Sequence, residues 1–265
     1  MKNIAVVKFG GSSLSNSRKI ENAVIRTERF LKLYPKILVV LSAPSDITDD
    51  LIKISTTFNP DLKTLEKLIT IGEEMSIYLF EMALKNKGIK SISLNHYQLK
   101  IRIDENRKEI KSLNCNLIRK HLKEFDVIVI PGFIGIDKRG NPTTLGRGGS
   151  DYTAVYLSDK IGAKCYLLSD IKGVYSSNPS KIEEAKKLKE ITYTEIFEIS
   201  KFDSQIRQNK AMEYANKKKL EIFLGSTFHI SQPTLITYKK NEKSKVRYIS
   251  VSSIDQKTSI RLIAE

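Results

Sequence analysis

The sequence predicts an α/β protein in which helices cover both faces of a mostly parallel central sheet, a three-layer αβα sandwich. Short apolar segments have the length and composition of buried strands; they lie at 4–9, 36–43, 126–130, 164–169 and 220–224. Segments with apolar residues at helical spacing separate most of them. Because strands joined by crossover helices run parallel, helices are expected on both faces of the sheet.

The first half of the chain is predicted to alternate strands and helices. Strands are expected at 4–9 and 36–43. Helices are expected at 16–33, for a short stretch after Asp46, and at 61–87. Pro35 ends the first helix and Asn59-Pro60 breaks the second, because proline cannot continue a helix. Gly88 is expected to cap the end of the long helix.

The second half continues the alternation. An extended segment is expected at 91–103, and strands at 126–130, 164–169 and 220–224. Helices are expected at 113–125 and 152–161, with two more between 192 and 218. Lys138-Arg139-Gly140-Asn141 is typical of a hairpin turn. Residues 234–264 alternate apolar and polar side chains as strands do, and the polar segment 239–245 is a candidate domain boundary.

The composition is that of an ordinary globular protein. The chain has 265 residues, 40% of them hydrophobic and 28% charged, which is ample for a sizeable core. No apolar run approaches the roughly 20 residues of a membrane-spanning helix, and the run after Met1 is too short for a secretory signal. Cys115 and Cys165 have no metal-ligand spacing. A reducing, cytoplasmic location is therefore expected.

The net charge raises the question of nucleic-acid binding. There are 45 Lys and Arg residues against 30 Asp and Glu, a formal net charge of +15. The cations are spread along the chain, and the sequence has neither zinc-finger spacing nor an aromatic RNA-binding signature. A small-molecule function with anionic substrates is therefore preferred to nucleic-acid binding.

A glycine pair directly after the first strand predicts part of a ligand site. The segment reads Lys8-Phe9-Gly10-Gly11-Ser12-Ser13 and precedes a helix. Glycines let backbone N–H groups close on a phosphate, and a lysine beside them supplies a compact positive charge. The segment is neither a Walker loop nor a GxGxxG sequence. On these residues alone, a plain tight turn fits equally well.

A second glycine-rich segment also precedes a helix. It reads Leu145-Gly146-Arg147-Gly148-Gly149-Ser150-Asp151. Its glycines cost backbone entropy that a mere connection would avoid, and they free backbone donors for an anion. Arg147 can bind a carboxylate or phosphate in bidentate fashion. Ser150 or Asp151 alone could be an N-cap, but for the whole segment a binding role is favoured.

Two further motifs are weaker. Glu73 follows Gly72 inside the long helix. A glycine there costs up to ~1 kcal/mol relative to alanine, so Gly72 is expected to allow close packing or to leave space for another group. Glu73 could meet a substrate ammonium, although a solvated glutamate is the simpler interpretation. Ser169-Asp170 and Gly173 follow a strand, where a nucleotide contact and an ordinary turn are equally common.

Together and in this order, the motifs resemble those of the aspartate kinases of the amino-acid kinase superfamily. The resemblance rests on KFGGSS, LSAPSDITD, ITIGEE, VIPGFIG, TTLGRGGSDYTA and SDIKGVYSSNP, and it continues to residues 225–228. It implies the amino-acid kinase (carbamate-kinase-like) fold. It also implies phosphorylation of the side-chain carboxylate of L-aspartate, or a close analogue, by ATP with Mg²⁺, the first step of aspartate-family amino-acid biosynthesis, in a homodimer.

The resemblance also implies residue roles. Lys8 would stabilise the phosphoryl group in transit, and Arg147 would bind the substrate α-carboxylate. Glu73 and Asp151 would face the ammonium, Asp151 also belonging to the catalytic pair with Lys8. The implied substrate-binding residues are Ser42, Thr48, Glu73, Arg147, Ser150 and Asp151. The implied ATP-binding residues are Lys8, Gly10, Gly11, Ser12, Ser169, Asp170 and Tyr175. Metal ligands are left unassigned.

The sequence departs from the family on the nucleotide side. Lys172 replaces an aspartate, Ser180 replaces an arginine, and the lysine that contacts nucleotide aligns with Gln205. Nearby cations could restore the charge; the candidates are Lys172, Lys181, Arg207 and Lys210. Two hypotheses follow. An active kinase with an altered ATP site is favoured over a pseudokinase-like binding protein, and a kinase for another small carboxylate is a further alternative.

The resemblance divides the chain at about residue 240. Residues 1–240 would form the catalytic domain, and 241–265 a short β tail resembling the start of a regulatory domain. Because about 25 residues cannot form an independent core, we expect no feedback site in the tail. It is expected to dock as a hairpin on the kinase or on a dimer partner.

Overall fold

Strands and helices alternate along most of the chain. The computed structural model describes residues 3–177, 179, 182–200 and 210–239, and the backbone of 248–254 and 257–263. The strands are β1 (Ile4–Phe9), β2 (Lys36–Leu41), β3 (Ser91–Ser93), β4 (Arg102–Asp104), β5 (Glu109–Ser112), β6 (Val127–Pro131), β7 (Ile134–Ile136), β8 (Pro142–Thr144), β9 (Lys164–Ser169), β10 (Glu190–Thr192), β11 (Ile222–Ser226), β12 (Thr234–Thr237), β13 (Tyr248–Ile254) and β14 (Lys257–Ile263).

The helices lie between these strands. They are α1 (Ser17–Leu31), α2 (Ser45–Thr56), α3 (Leu62–Asn86), α4 (Cys115–His121), α5 (Gly149–Ile161), α6 (Tyr193–Ser200) and α7 (Lys210–Lys217). A short 3-10 helix at Gly11–Ser13 follows β1. Among the described residues, no helix is both long and apolar enough to cross a membrane.

The central sheet has eight strands in the order β10-β12-β11-β9-β1-β2-β6-β3. Every neighbouring pair is parallel except β11 and β12. In β1, β2 and β6 the apolar side chains on both faces are buried, as expected of strands covered on both sides. The predicted mostly parallel sheet is confirmed.

Two hydrophobic cores lie on opposite faces of this sheet. On one face, Phe30 of α1 and Phe80 of α3 pack with Val7 of β1. On the other, Val155 of α5 and Ala211 of α7 pack around the remaining side chains of the same strands. The three-layer αβα arrangement predicted from the alternating pattern is therefore confirmed.

A second sheet of four short strands, β5-β4-β7-β8, stands beside the main one. Within it β7 and β8 form the predicted hairpin, with Gly140 at φ +86° in the turn. The prediction that 91–103 is extended was wrong between β3 and β4. There Asn95 and Gln98 accept hydrogen bonds from each other's backbone N–H through their side-chain oxygens, which closes a turn.

The last two strands, β13 and β14, pair with each other in antiparallel fashion, and β14 runs beside α6. The departures at Ser180 and Gln205 lie outside the described residues, and so do the candidate cations Lys181 and Arg207.

Candidate active site

A pocket of about 300 Å³ opens at the carboxyl ends of β1 and β2. This is the edge where ligands bind in open parallel sheets. Eight of the predicted site residues line it: Lys8, Gly11, Ser42, Thr48, Glu73, Arg147, Ser150 and Asp151. The loop after β1, the first turns of α2 and α5 and the middle of α3 thus converge on one space.

Lys8 and Asp151 form an ion pair inside this pocket. Lys8 lies near the end of β1 and Asp151 in the first turn of α5, and Lys8 Nζ is 2.7 Å from Asp151 Oδ1. The lysine side chain is 12% exposed and the aspartate side chain 26% exposed. The pair therefore links the central strand to the glycine-rich segment and holds the ammonium group at the pocket wall.

The glycine-rich segment turns sharply so that α5 begins at the pocket. Gly146 and Gly148 both have φ +76°, a left-handed conformation that glycine adopts without steric cost, and Gly148 is the residue that precedes the helix. The Gly149 N–H donates to the Gly146 carbonyl oxygen at 3.0 Å, and the first turn of α5 presents the positive end of the helix dipole to the pocket. Arg147, exposed between the two glycines, adds a full positive charge.

The start of α2 forms a second positive wall. The residue before the helix is Pro44, which offers no side-chain acceptor, so the first N–H groups of α2 have no side-chain cap. Gly11 lies against this start: a Cβ at Gly11 would sit 2.5 Å from the carbonyl oxygen of Ala43. Glycine is therefore required for the 3-10 turn to approach α2. The N-terminal ends of α2 and α5 together favour an anion in the pocket.

Glu73 is buried at the base of the pocket. Its residue is 4% exposed, because Gly72 beside it lets α3 pack closely on Ala43 and Ile47. Burial raises the pKa of Glu73 to about 8, while a hydrogen bond from the Ala43 backbone N–H and the charge of Lys8 act to lower it. Among the described residues, Oε2 of Glu73 has no hydrogen-bond partner. A cationic group of a ligand would satisfy this oxygen.

The other residues predicted to contact nucleotide follow β1 or lie at and after the end of β9. Gly10 donates its backbone N–H to the Leu168 carbonyl oxygen at 3.1 Å, which joins the end of β1 to that of β9. A Cβ at Gly10 would lie 3.9 Å from Cβ of Ser169. The other predicted positions are Ser12 in the 3-10 turn, Asp170 after β9 and Tyr175, whose backbone bridges to Lys187.

The 3-10 turn is hydrogen-bonded to the loop after β11. Oγ of Ser13 and Oγ1 of Thr227 are 2.7 Å apart, both residues being buried, and the Thr227 N–H donates to the Ser169 carbonyl oxygen at 2.8 Å. The three loops after β1, β9 and β11 are thus held together where they surround the predicted nucleotide positions.

Two of the four candidate replacement cations can be located. Lys172 lies near Lys187, whose pKa is lowered by partial burial and by the charge of Lys172. Positive charge is therefore concentrated beside the end of β9. Lys210 points elsewhere, because its ammonium donates to the carbonyl oxygens of Arg107 and Lys108. That Lys210 could supply charge to an ATP site stays a prediction.

Glu66 was missed by the sequence analysis. It is buried on α3, and its Oε1 accepts hydrogen bonds from both hydroxyls of Thr143 and Thr144, the Thr144 N–H and the Lys108 ammonium, at 3.1 to 3.3 Å. These bonds fix β8, the strand that leads into Gly146. A lone glutamate on a helix carries no sequence signal of such a role.

The described residues contain no group of three or more His, Cys, Asp or Glu side chains able to hold a metal ion.

The fold and the site agree with one family: the chain belongs to the amino acid kinase family, whose family model matches residues 3–226. Its relatives include the aspartate kinase of Pseudomonas putida, 33% identical over 252 residues, which are 93% of this chain and 61% of the relative. The aspartokinase of Geobacillus stearothermophilus is 31% identical, over 98% of this chain and 65% of its own length. The chain thus spans about three fifths of the length of the curated relatives it matches.

Solved structures agree. An aspartate kinase from Synechocystis has a TM-score of 0.78 and 28% identity, the match covering 89% of this chain and 40% of that one. Aspartokinase III of Escherichia coli, in a complex with aspartate and ADP, has a TM-score of 0.78 and 22% identity, covering 94% of this chain and 67% of that one. The latter likeness supports the fold.

Proposed function

We propose that residues 1–240 form a catalytic domain that phosphorylates the side-chain carboxylate of L-aspartate, or of a close analogue, with ATP. The product would be an acyl phosphate, and the reaction would be the first step of aspartate-family amino-acid biosynthesis. The observation that carries the proposal is one pocket that combines Lys8, the starts of α2 and α5, Arg147 and the buried carboxyl of Glu73. The similarity to aspartate kinases supports it.

The pocket suits an amino acid with two carboxylates. Arg147 is the cation available to an α-carboxylate, in the bidentate geometry that guanidinium groups favour. The ammonium would meet Glu73, whose Oε2 lacks a partner among the described residues, and the side of Asp151 away from Lys8. Three hydroxyl groups line the same space and complete the polar contacts: Ser42, Thr48 and Ser150.

The phosphoryl transfer would need alignment and charge neutralisation rather than a base, because the attacking carboxylate oxygen is already anionic. Lys8 lies between the amino-acid pocket and the Gly10 turn, where it would stabilise charge on the phosphoryl group in transit. ATP would be held by Gly10, Gly11, Ser12, Ser169, Asp170 and Tyr175. The glycines fit this role, because a Cβ at Gly11 would clash with the Ala43 carbonyl oxygen and hold the turn away from the start of α2. Bound Mg²⁺ supplies further neutralisation of the phosphates.

The decisive experiment traps the product. Purified protein is incubated with ATP, Mg²⁺ and L-aspartate in hydroxylamine, which converts an acyl phosphate to a coloured hydroxamate. We expect hydroxamate with aspartate and none with the Lys8→Met variant. Absence of hydroxamate at high enzyme concentration would contradict the proposal. Calorimetric binding of ATP would then separate a binding protein from a kinase that acts on another carboxylate.

We further propose that the protein works as a homodimer in the cytoplasm, where ATP is available. Support comes from α3, whose outer face carries an apolar stripe at helical spacing formed by Ile71, Tyr78 and Met82. These side chains are 57%, 44% and 55% exposed. A continuous apolar stripe on a long surface helix is typical of a contact between subunits.

A further inference from the structure

A second cavity lies on the sheet face that α1 covers, apart from the candidate active site. It has a volume of about 460 Å³ and lies beside the C-terminal half of α1. Its apolar floor is built by side chains of three neighbouring strands: Tyr166 and Leu168 of β9, Phe223 of β11 and Leu235 of β12. None of the residues that line it belongs to the pocket around Lys8.

The floor is largely aromatic. The rings of Tyr166 and Phe223 stack with their centroids 4.8 Å apart and their planes at 19°, and Phe30 of α1 meets Tyr166 edge-on at 4.7 Å. The hydroxyl of Tyr166 is hydrogen-bonded to that of Tyr34 at 2.7 Å. That polar atom is therefore satisfied. Because the two rings stack on each other and Lys164 Nζ lies 5.6 Å from the centroid of the Phe223 ring, the floor offers apolar ring edges to a ligand.

The walls of this cavity carry more positive than negative charge. Arg26, Arg29 and Lys189 line it, against one carboxylate, that of Glu190. Within the part of the chain that the structure describes, none of the three cations forms an ion pair. Nε of Arg26 is buried and has no hydrogen-bond partner there. A buried donor without a partner is unfavourable and marks a position where a ligand acceptor would be gained.

The two arginines are also close to each other. They are three residues apart on α1, so they share a helix face, and the pKa of Arg26 is lowered by burial and then by the charge of Arg29. A smaller cavity of about 280 Å³ is lined by the same two arginines together with Phe228 and Ile230. The guanidinium pair therefore stands between two cavities, with like charges that only an anion would neutralise.

We propose that this second cavity binds a small molecule with a flat apolar body and one anionic group, a carboxylate or a phosphate. The cavity volume falls in the range of small-molecule sites. The anionic group would bind the guanidinium groups of Arg26 and Arg29, which suit both oxyanions, while the apolar body covers Tyr166 and Phe223.

The test uses the whole chain and two probes, 2-naphthoate and 2-naphthyl phosphate, titrated by calorimetry. The titrations are repeated with ATP and aspartate present, which should leave binding unchanged because the cavities share no residues. We expect saturable binding of at least one probe, weakened about tenfold by Arg26→Gln and by Arg29→Gln, because each variant removes a charged hydrogen-bond donor. The probe that binds more tightly identifies carboxylate or phosphate as the preferred anion.

The controls distinguish binding at a specific site from nonspecific hydrophobic adsorption. Arg18→Gln removes the same charge from an exposed position of the same helix and should not change the affinity. Uncharged 2-naphthamide should bind at least about tenfold more weakly than the better acidic probe. The proposal is overturned if neither probe saturates, if the arginine variants bind like Arg18→Gln, or if the amide binds as well as the acids. Circular dichroism and kinase activity confirm that each variant is folded.

Discussion

At the scale of single residues, Glu73 combines a cost to stability with a contribution to binding. Its pKa near 8 in the folded protein lies above its ordinary value of 4.5, so folding takes up a proton between these values. The stabilising effect of the neutral form is complete below pH 4.5 and is lost as the pH rises through about 8.

Glu73→Gln should therefore flatten the loss of stability with rising pH. The amide stays neutral, so the melting temperature of the variant should exceed that of the wild type most clearly above pH 8, with little difference at pH 5. Thermal melts across this range measure it, and Glu28→Gln, at an exposed position of α1, serves as the control. If the two variants follow the same curve as the wild type, the carboxyl is not buried as described.

The same substitution should weaken binding of the amino-acid substrate. Loss of the carboxylate that faces the ammonium should raise KM for aspartate about tenfold or more, with a smaller effect on KM for ATP. Steady-state kinetics with each substrate varied in turn provides the measurement. An equal rise in both KM values would indicate a general disturbance of the fold rather than a contact with the amino acid.

Lys8 should act on the chemical step. Lys8→Met should lower kcat by about 10²- to 10³-fold, because the ammonium would stabilise charge that develops during transfer. A matched control is available in Lys36, which also lies on a central strand and pairs with Asp126 at 2.9 Å, but at the opposite end of the sheet. Lys36→Met should leave kcat close to the wild-type value. Comparable losses in both variants would rule out a specific role for Lys8.

Residue types in a motif could be predicted, whereas their partners could not. The glycine-rich segments indicated a ligand site because their backbone cost is hard to explain otherwise. Glu66 gave no such signal, since its four hydrogen bonds come from residues 42 to 78 positions away in the sequence. The burial of Glu73 likewise depends on the approach of α2 to Gly72, which no local pattern reports.

At the scale of elements, the start of α5 differs from the sequence prediction. The helix was expected from residue 152 and begins at Gly149, because left-handed Gly148 allows the chain to enter the helix directly from the glycine-rich turn. Helix propensity alone places glycines outside the helix. The second sheet was predicted only as one hairpin, because strands of three or four residues are too short to show periodicity.

The two ends of α5 offer a matched pair of glycines. Gly146, in the turn before the helix, has φ +76°, and Gly162, which ends the helix, has φ +71°. A Cβ at either would meet no atom within 4 Å. Gly146→Ala and Gly162→Ala should therefore destabilise the protein equally, by about 1 kcal/mol from backbone strain. Denaturant unfolding of both variants checks this equality.

Only Gly146→Ala should also weaken substrate binding, because it lies next to Arg147 in the loop that enters the pocket. We expect a rise in KM for aspartate in that variant and an unchanged KM in Gly162→Ala. Equal kinetics in the two variants would mean that the loop conformation does not matter for binding.

At the scale of the whole molecule, the stripe on α3 predicts the oligomeric state. Met82→Glu places a charge within the proposed contact and should convert a dimer to a monomer, because a desolvated unpaired charge is costly. Analytical ultracentrifugation measures the mass. Phe58→Glu is the control, since Phe58 is 77% exposed just after α2 and outside the stripe. A monomeric wild type would contradict the dimer outright.

The net charge of +15 is only partly explained by the site. Lys8, Arg147 and the cations near Lys172 account for a few positive groups near the sheet edge, and Arg26 and Arg29 for a second concentration beside α1. Composition alone indicated anionic ligands without saying where they bind. The positions follow from the order of the strands, which the sequence pattern predicts only as parallel.

The hydrogen bond between Ser13 and Thr227 has a consequence for the order in which the protein is made. The two hydroxyl groups are 214 positions apart, so the turn after β1 leaves the ribosome long before its partner exists. Contacts of such long sequence separation form late, since a long loop must be closed first. The nascent chain therefore carries an incomplete edge at the predicted nucleotide positions until synthesis has passed β11, and a chain cut short before that point would lack the contact that joins the loops after β1 and β11.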